Sequence, residues 1–449
     1  MAKIKSFKIE DINAPKFGDD YEVIDQVVLN LTNIGGNNNK FYSMELQKSN
    51  GDYRIFTHYG RVGDTGVKEG RYFLKSNTEQ KKGKTLEESI RGTAEKEFNR
   101  LLKSKQKKGY LKVDMASAEV GSSKAQIKQR HNSVKKSVDL DERIQVLVEQ
   151  IYEEASKTLS STIRTPLGAL SLLQIDKGNE KLEQIRKAIH YNDYRLMNNL
   201  SSEYYSLIPQ RFSHRIDPSE AIINSNDKAD RQEELLQLMR DVYNVKDELD
   251  SGVTAKYKAI NAKITPLEPS DRGFKRIQKK VKKTQSRHHN IDLHVNNIFS
   301  IELNSTKGRF NPRHLKTMEL YHGSANKNIL GILQRGLLIA PPCAQHAGAA
   351  FGRGIYFARH STKSSQYSTK FYKNNYSNGF LFAADVAVGK MQKVNYYTFS
   401  NRGPSPSYDS VMGVAGADLI HDEFIVYNVN QVELMYLIDF TPKSKYWRF

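Results

Sequence analysis

A glutamate within an apolar strand near the C-terminus constrains this chain of 449 residues more than any other feature. In the run from His421 to Tyr427, strand alternation places Glu423 on the same face as Ile425 and Tyr427, which are expected to be buried. An unpaired buried carboxylate is costly, so either a cation lies near Glu423 or the site opens to a ligand. Because Glu423 stands near the start of the strand, an exposed position at its rim is the alternative.

The stretch from Leu320 to Tyr367 contains residues suited to a planar ligand. His322-Gly323-Ser324 offers an imidazole, a backbone without a side chain, and a hydroxyl. A carboxamide laid against the amide and carbonyl of Gly323 would form two hydrogen bonds that fix its orientation. An ordinary turn with a serine cap is the alternative interpretation of these three residues.

Gly352-Arg-Gly-Ile-Tyr356 has the spacing of neither a dinucleotide fingerprint nor a phosphate-binding loop. Its glycines fit a turn that enters a strand, and Tyr356 and Tyr367 could enclose an aromatic ring, although aromatic residues in apolar strands belong more often to the core. Glu423 is the one carboxylate evident for glycosidic cleavage. A reaction whose leaving group needs little protonation therefore suits this single carboxylate better than glycoside hydrolysis. The positively charged nicotinamide of NAD is such a leaving group.

Length and charge predict two to four domains with a nucleic-acid partner. The net charge of +19 would attract a polyanion, although a basic surface kept for solubility is the alternative. The one cysteine, Cys343, permits no intrachain disulfide and no cysteine-based zinc site. His288, His289 and His294 come nearest to a metal cluster but lack suitable partners, so we expect no metal. Without a membrane span or signal peptide, the protein is expected inside the cell.

The N-terminal part predicts a small antiparallel sheet with one helix, preceded by a tail over residues 1–20. Asn50-Gly51 between two strand patterns indicates a hairpin within the predicted domain, residues 21–122. Thr85-Leu-Glu-Glu88 is a capping box that precedes an amphipathic helix.

Three further segments follow. Residues 123–137 are polar and predict a linker, and residues 138–252 predict an all-α domain. Residues 253–449 alternate strands and short helices and predict an α+β domain. The basic run from Lys275 to Lys283 has three interpretations: a localisation signal, a nucleic-acid patch, or the solvated face of a helix.

Three blocks of the chain resemble, in the same order, the DNA-damage-dependent poly(ADP-ribose) polymerases. Tyr53–Gly63 with Tyr110–Ser122 is similar to a WGR domain, Thr165–Ser171 and Leu200–Pro209 are similar to the helical regulatory domain, and Leu320–Tyr367 with Glu423 is similar to the ADP-ribosyltransferase domain. The resemblance therefore implies a multidomain fold: a WGR-like sheet with a helix, a helical domain, and an α+β transferase.

The resemblance also implies roles for individual residues. His322, Tyr356 and Glu423 match the catalytic His-Tyr-Glu triad of the family, and Glu423 would support the transition state and activate the acceptor hydroxyl. NAD+, consumed as substrate, would be bound by residues of the same stretch: His322, Gly323, Ser324, Asn328, Tyr356, Ser364 and Tyr367. The glutamate favours polymer formation, because family members limited to a single transfer usually lack it.

The chain departs from the family pattern at three places. Tyr59 stands where the WGR motif has Trp, while Gly60 and Arg61 are retained; these three are the predicted DNA-binding residues. Leu338 stands where the family often has Arg, which removes a cation near the adenosine side. The loop from Pro341 to Phe351 has no aromatic residue before Phe351.

The prediction is an enzyme that is activated by DNA strand breaks and transfers and elongates ADP-ribose on acceptor proteins, itself included. We expect a monomer, in the nucleus if the source is a eukaryote and otherwise in the cytoplasm or nucleoid. A DNA-end-binding module with an inactive transferase fold and a mono-ADP-ribosyltransferase are the alternatives.

Overall fold

A computed structural model describes residues 4–114, 140–162, 170–243, 252–312, 315–339, 350–368, 378–397 and 403–444. The chain forms two compact units. The first contains residues 1–134 and 159–239, and the second contains residues 135–158 and 240–449. The predicted linker over 123–137 lies outside the described residues, as do most of the loop that begins at Pro341 and most of the block that begins at Thr165.

The first unit begins with an antiparallel six-stranded sheet of order β1-β5-β4-β3-β2-β6. Its strands are β1 (Phe7–Lys8), β2 (Glu22–Asn33), β3 (Asn38–Ser49), β4 (Asp52–Arg61), β5 (Val67–Phe73) and β6 (Leu111–Val113). The predicted hairpin is confirmed: Ser49 pairs with Asp52, and the two turn residues between them have φ angles of 50° at Asn50 and 79° at Gly51. Both positive angles belong to a type I′ turn, which Asn-Gly favours.

One helix, α1 (Leu86–Gln106), covers one face of this sheet. The predicted capping box is confirmed, because Thr85 and Glu88 exchange both hydrogen bonds at its start. Ile90, Ala94 and Phe98 of α1 pack in one core with alternate residues of the strands. The short β1 lies within the segment that the sequence assigns to an N-terminal tail, and it pairs with β5.

The opposite face of the sheet packs against the helices of the same unit. These are α3 (Leu172–His190), α4 (Tyr194–Leu207), α5 (Pro218–Ala221) and most of α6 (Asn226–Tyr243). Val28 and Phe41 of the sheet share a hydrophobic core with Ile185, Tyr204 and Leu236 of the helices. Strand alternation explains the two faces, since Val28 and Phe41 are each one residue away from Leu29 and Tyr42, which contact the α1 side.

The second unit holds α2 (Glu142–Thr162, mostly), α7 (Val253–Ile260), α8 (Arg272–Lys283), α9 (Ile329–Arg335), α10 (Ser361–Ser365) and two sheets. The larger sheet is antiparallel, of order β7-β8-β15-β11-β9, with strands β7 (Ala262–Pro266), β8 (Ile291–Leu303), β15 (Val432–Ser444), β11 (Gly379–Ala387) and β9 (Thr317–Gly323). This arrangement confirms the predicted α+β class.

The smaller sheet is of order β10-β14-β13-β12, with strands β10 (Ile355–Phe357), β14 (Glu423–Val426), β13 (Ser410–Gly413) and β12 (Met391–Val394). Only β12 and β13 are parallel among its described pairs. Tyr321 and Ala358 exchange backbone hydrogen bonds, so the end of β9 lies beside the end of β10. That junction brings His322 on β9 next to Tyr356 on β10. None of the helices in the described segments is long and apolar enough to cross a membrane.

Candidate active site

A cavity opens where β9, β10, β14 and α10 meet in the second unit. Its free volume is about 390 Å3, including the part open to solvent. It is lined by His322, Gly323, Tyr356, Phe357, Ala358, Lys363, Ser364, Tyr367 and Glu423.

Glu423 is nearly buried and has a cation partner. It is 9% exposed on β14, and its Oε1 lies 2.6 Å from Nζ of Lys363 on α10. Lys363 also donates to the backbone carbonyl of His421 at 3.2 Å. The second bond fixes the ammonium beside the carboxylate, which offsets the cost of removing both charges from water. The sequence left Glu423 either buried or exposed at the rim of its strand. In the structure its carboxylate is nearly buried, has a nearby cation, and lies in the wall of a cavity.

His322, on β9, presents one ring nitrogen as an acceptor. Its Nδ1 lies 2.9 Å from the backbone carbonyl oxygen of Tyr356, and because a carbonyl only accepts, Nδ1 carries the hydrogen. Desolvation lowers the pKa of His322 below its ordinary value, so the ring is neutral at pH 7. A neutral ring with hydrogen on Nδ1 leaves Nε2 to accept a hydrogen bond from a ligand hydroxyl.

Tyr356 is held by hydrogen bonds within its own turn. Its hydroxyl donates to the carbonyl of Gly352 at 2.6 Å and accepts from the amide of Phe351 at 3.0 Å. Burial and the nearby Glu423 raise its pKa above the ordinary value for tyrosine. The phenol therefore stays protonated at pH 7 and offers the cavity a fixed aromatic side chain rather than a base.

Gly323 ends β9 at a place where no side chain fits. A Cβ atom at this position would lie 1.8 Å from the backbone oxygen of Ser364. Ser364 is 4% exposed, and its hydroxyl donates to the carbonyl of Tyr321 at 3.0 Å. Gly323 and Ser364 therefore lie side by side in the cavity wall.

The other predicted cofactor-binding residues differ in their placement. Tyr367 lines the cavity with 59% of its surface exposed. Ser324 and Asn328 are not among the residues that line this cavity; the Asn328 amide donates to the Ser324 hydroxyl at 3.1 Å. Leu338 is 56% exposed.

A group of four histidine rings lies next to the Lys363–Glu423 pair. The ring of His421 has its centroid 4.4 Å from that of His360, 4.9 Å from His289 and 5.6 Å from His288. Burial is the main cause that lowers the pKa of His421 to about 4, and the neighbouring histidines and Lys363 add to it. Across the segments that the structure describes, no group of three or more His, Cys, Asp or Glu residues could hold a metal ion.

The predicted DNA-binding residues are engaged within the first unit. The ring of Tyr59 stacks on Tyr42 at 5.6 Å, and its hydroxyl donates to Glu69 at 2.9 Å. The guanidinium of Arg61 donates to the backbone carbonyl of Ser213 at 2.9 Å and more weakly to Asn37.

Gly60 lies against the backbone of the following turn. A Cβ atom there would come within 2.8 Å of the Cα of Gly66. All three predicted residues are partly exposed, but Tyr59 packs on the α1 side of the sheet, whereas Gly60 lies beside Phe41 of the opposite face.

Three residues that line the cavity were not predicted as site residues, Phe357, Ala358 and Lys363, and Lys363 is the charged one. The buried position predicted for Glu423 required a nearby cation, and Lys363 stands directly before the predicted ligand residue Ser364. Lys327 stands equally close to the predicted residue Asn328, so no signal in the sequence singles out Lys363.

The chain matches three family models in succession. These are the WGR domain over residues 25–117, the poly(ADP-ribose) polymerase regulatory domain over residues 138–262, and the poly(ADP-ribose) polymerase catalytic domain over residues 271–418.

Curated relatives match most of the chain. Poly [ADP-ribose] polymerase 2 of Homo sapiens is 27% identical over 92% of this chain and 78% of its own length. Poly [ADP-ribose] polymerase 2-A of Oryza sativa subsp. japonica is 26% identical over 91% and 69%. Protein mono-ADP-ribosyltransferase PARP3 of Mus musculus is 27% identical over 86% and 76%.

The fold and its catalytic domain define an enzyme class, the NAD+ ADP-ribosyltransferases. Within that class, the chain belongs to the poly(ADP-ribose) polymerase family. The predicted family, fold class and enzyme class are confirmed.

Proposed function

We propose that this protein is activated by DNA strand breaks and builds ADP-ribose polymers on acceptor proteins, including itself, in the response to DNA damage. The observation that carries the proposal is the Lys363–Glu423 pair in the wall of a cavity that also contains His322 and Tyr356. A fixed carboxylate beside a sugar is suited to stabilising positive charge that develops on the ring.

Different residues of the cavity bind different parts of NAD+. The backbone of Gly323 and the hydroxyl of Ser364 bind the nicotinamide carboxamide, and Tyr356 and Tyr367 enclose its ring. To donate to the carboxamide oxygen, the Ser364 hydroxyl turns away from the carbonyl of Tyr321. The Nε2 atom of His322 accepts a hydrogen bond from a hydroxyl of the adenine-side ribose. Ser324 and Asn328 extend this surface outside the cavity.

Glu423 accepts a hydrogen bond from the 2′-hydroxyl of the nicotinamide ribose and stabilises the cationic transition state. The bond from C1′ to the nicotinamide ring nitrogen breaks, and its electron pair leaves with nicotinamide, which becomes neutral. A bond forms between C1′ and the acceptor oxygen. Glu423 takes the proton of that acceptor hydroxyl and passes it to water, while Lys363 keeps the carboxylate oriented.

The N-terminal sheet and the helical domain supply DNA recognition and control. The WGR domain match covers most of the sheet that carries Tyr59, Gly60 and Arg61, and the net charge of +19 favours a polyanionic partner. We propose that DNA ends bind this sheet, that the helical regulatory domain restrains the transferase without DNA, and that the protein acts in the nucleus as a monomer.

The test is incubation of the purified chain with labelled NAD+, with and without a nicked duplex. A ladder of labelled protein that requires the duplex is expected, and Glu423→Gln should abolish the ladder while duplex binding is retained. The matched control is Glu433→Gln, which removes a carboxylate from an exposed position on β15. A ladder that persists in Glu423→Gln contradicts the role of the carboxylate.

Transfer of a single unit is the second candidate function. Two of the relatives that match, PARP3 and PARP4 of Mus musculus, are named as mono-ADP-ribosyltransferases. In the same assay, a mono-transferase would give one discrete labelled band, and an inactive chain would give no label above that of Glu423→Gln.

A further inference from the structure

Helix α8 presents a face of unpaired cations in the unit that contains the cavity. Its apolar residues Phe274, Ile277 and Val281 are buried, and Lys or Arg occupies each remaining position except Gly273 and Gln278. Six cations of this helix are exposed, and one of them, Arg276, pairs with Glu319. We call the other five the α8 basic face: Arg272, Lys275, Lys279, Lys282 and Lys283.

These five cations differ from their neighbours on the same helix. Arg276 and Lys280 both pair with Glu319 on β9, at 2.5 and 3.1 Å. Within the part of the chain that the structure describes, no ion pair involves any residue of the α8 basic face. The protein therefore neutralises only the side of α8 that faces β9.

Helix stability does not explain this charge. Like charges three and four residues apart, such as Lys275 with Lys279, destabilise a helix by about 0.2–0.5 kcal/mol per pair. The helix dipole favours cations only in the last turn, which includes Lys282 and Lys283, and it disfavours Arg272 in the first turn. A ligand of opposite charge would turn this repulsion into binding energy.

The C-terminal end of α8 is attached to the element that carries two cavity residues. The hydroxyl of Ser361 donates to the carbonyl of Val281 at 2.9 Å, and the amide of Ser361 donates to that of Thr284 at 3.2 Å. Ser361 begins α10, which contains Lys363 and Ser364. The C-terminal end of the helix that carries the basic face thus contacts α10, which contributes two residues to the cavity wall.

We propose that the α8 basic face binds the growing ADP-ribose polymer. This proposal rests on the function proposed above. Each added unit contributes a pyrophosphate, so the product is a flexible polyanion that lengthens at the site where it forms. Cations three or four residues apart on the face, such as Lys275 and Lys279, are about 5–6 Å apart, which lets several phosphates be neutralised together. Binding there keeps the acceptor end near the cavity and raises its effective concentration for the next addition.

The binding test uses free ADP-ribose polymer that has been released from protein, so it requires no turnover by this chain. The variant replaces four lysines of the face: Lys275→Gln, Lys279→Gln, Lys282→Gln and Lys283→Gln. The matched control removes four exposed lysines elsewhere in the same unit: Lys258→Gln, Lys307→Gln, Lys316→Gln and Lys393→Gln. We expect the α8 variant alone to bind polymer about tenfold or more weakly, with a shallower dependence on salt.

The activity arm measures two quantities with labelled NAD+ and nicked duplex. The rate of first-unit attachment should be unchanged in the α8 variant, and the ladder should shift to shorter products, while the control variant matches the wild type. Equal losses of polymer binding in both variants overturn the proposal, because net charge alone would explain them. Unchanged polymer binding with weakened duplex binding also overturns it and assigns the face to DNA. If the wild type gives no label, the function proposed above fails, and the binding arm still decides whether the face binds polymer.

Discussion

The residues predicted to bind NAD+ and those predicted to bind DNA have different surroundings in the structure. In the second unit, His322, Ser364 and Glu423 border a cavity, and His322 keeps an acceptor atom for a ligand. In the first unit, Tyr59 and Arg61 already make hydrogen bonds and a ring stack within the protein. A motif residue can thus serve a ligand directly, or it can hold the surface on which a ligand binds.

These different surroundings predict different effects of substitution. Changes in the cavity should reduce transfer of ADP-ribose more than they reduce DNA binding. Changes at Tyr59 and Arg61 should first lower the stability of the unit that contains them.

Replacement of Lys363 by Met should have the largest effect. It leaves the carboxylate of Glu423 without its cation in a site where the two side chains are only 13% and 12% exposed. We expect a loss of about 3 kcal/mol in the free energy of unfolding of this unit and a loss of at least 100-fold in label transfer. Thermal unfolding and the labelled NAD+ assay measure the two effects.

Lys363→Arg, which keeps the cation, should recover most of the stability. If Lys363→Met unfolds at the same temperature as the wild type, the pair does not stabilise the cavity wall.

Replacement of Gly323 by Ala should come next. The added methyl group would meet the backbone oxygen of Ser364 at 1.8 Å, so α10 must shift. We expect about 2–3 kcal/mol of destabilisation and a raised KM for NAD+. The matched control is Gly92→Ala in α1, where an added Cβ has nothing within 4 Å and should raise helix stability slightly. Unchanged stability and KM in Gly323→Ala would contradict the close approach of β9 and α10.

Much of the cavity could be predicted from the sequence because it depends on local patterns. Strand alternation predicted the burial of Glu423. The glycine of His322-Gly323-Ser324 was interpreted as room for a planar ligand, and in the structure it also accommodates the backbone of Ser364. The identity of the cation could not be predicted, because Lys363 and Glu423 are distant in the chain and meet only through the position of α10 beside β14.

The N-terminal sheet shows the same limit. The hairpin at Asn50-Gly51 and the capping box at Thr85 follow from local geometry, and both are confirmed. The bond from Arg61 to Ser213 joins a strand to a segment after α4, and no local pattern encodes it. The two-residue strand β1 could not be predicted either, because a pair of residues has no periodicity.

The pH dependence of stability should reveal the histidine group beside the cavity. His421 is 6% exposed and faces His360, His289, His288 and Lys363. Between its ordinary pKa of 6.5 and its folded pKa of about 4, the unfolded chain holds the proton and the folded chain does not. Unfolding then takes up a proton, so stability falls as pH falls through this window.

We expect this histidine to account for about 2 kcal/mol lost between pH 7 and pH 4.5. Thermal unfolding at a series of pH values measures the loss, and His421→Gln should make the curve for this unit flatter. A curve of unchanged steepness in that variant would contradict the assignment.

Replacement of Arg61 by Lys separates the two roles of the predicted DNA-binding cation. Lysine keeps the positive charge but lacks the planar fork with which Arg61 reaches both Ser213 and Asn37. We expect about 1.5 kcal/mol of destabilisation, with duplex affinity within about threefold of the wild type at matched salt. Arg61→Gln, which loses charge and fork, is the comparison variant. Full stability together with weak duplex binding in Arg61→Lys would show that the fork serves DNA instead.

Replacement of Tyr59 by Phe should have the smallest effect, and it tests whether the residue that replaces the family's Trp acts through its ring or its hydroxyl. The ring stacks on Tyr42, and the ammonium of Lys105 lies 3.7 Å from the Tyr42 ring centroid and 5.7 Å from that of Tyr59. Phenylalanine keeps this packing and loses only the bond to Glu69, which should cost about 1 kcal/mol.

Duplex affinity of Tyr59→Phe should remain within about twofold of the wild type, measured at one fixed salt concentration because phosphate contacts depend on salt. Tyr42→Phe is the matched control, since it removes a hydroxyl from the other ring of the same stack. A tenfold loss of duplex affinity in Tyr59→Phe, but not in Tyr42→Phe, would mean that the Tyr59 hydroxyl leaves Glu69 and contacts DNA. The contrast between a ligand-facing cavity and a self-contained sheet would then no longer hold at this residue.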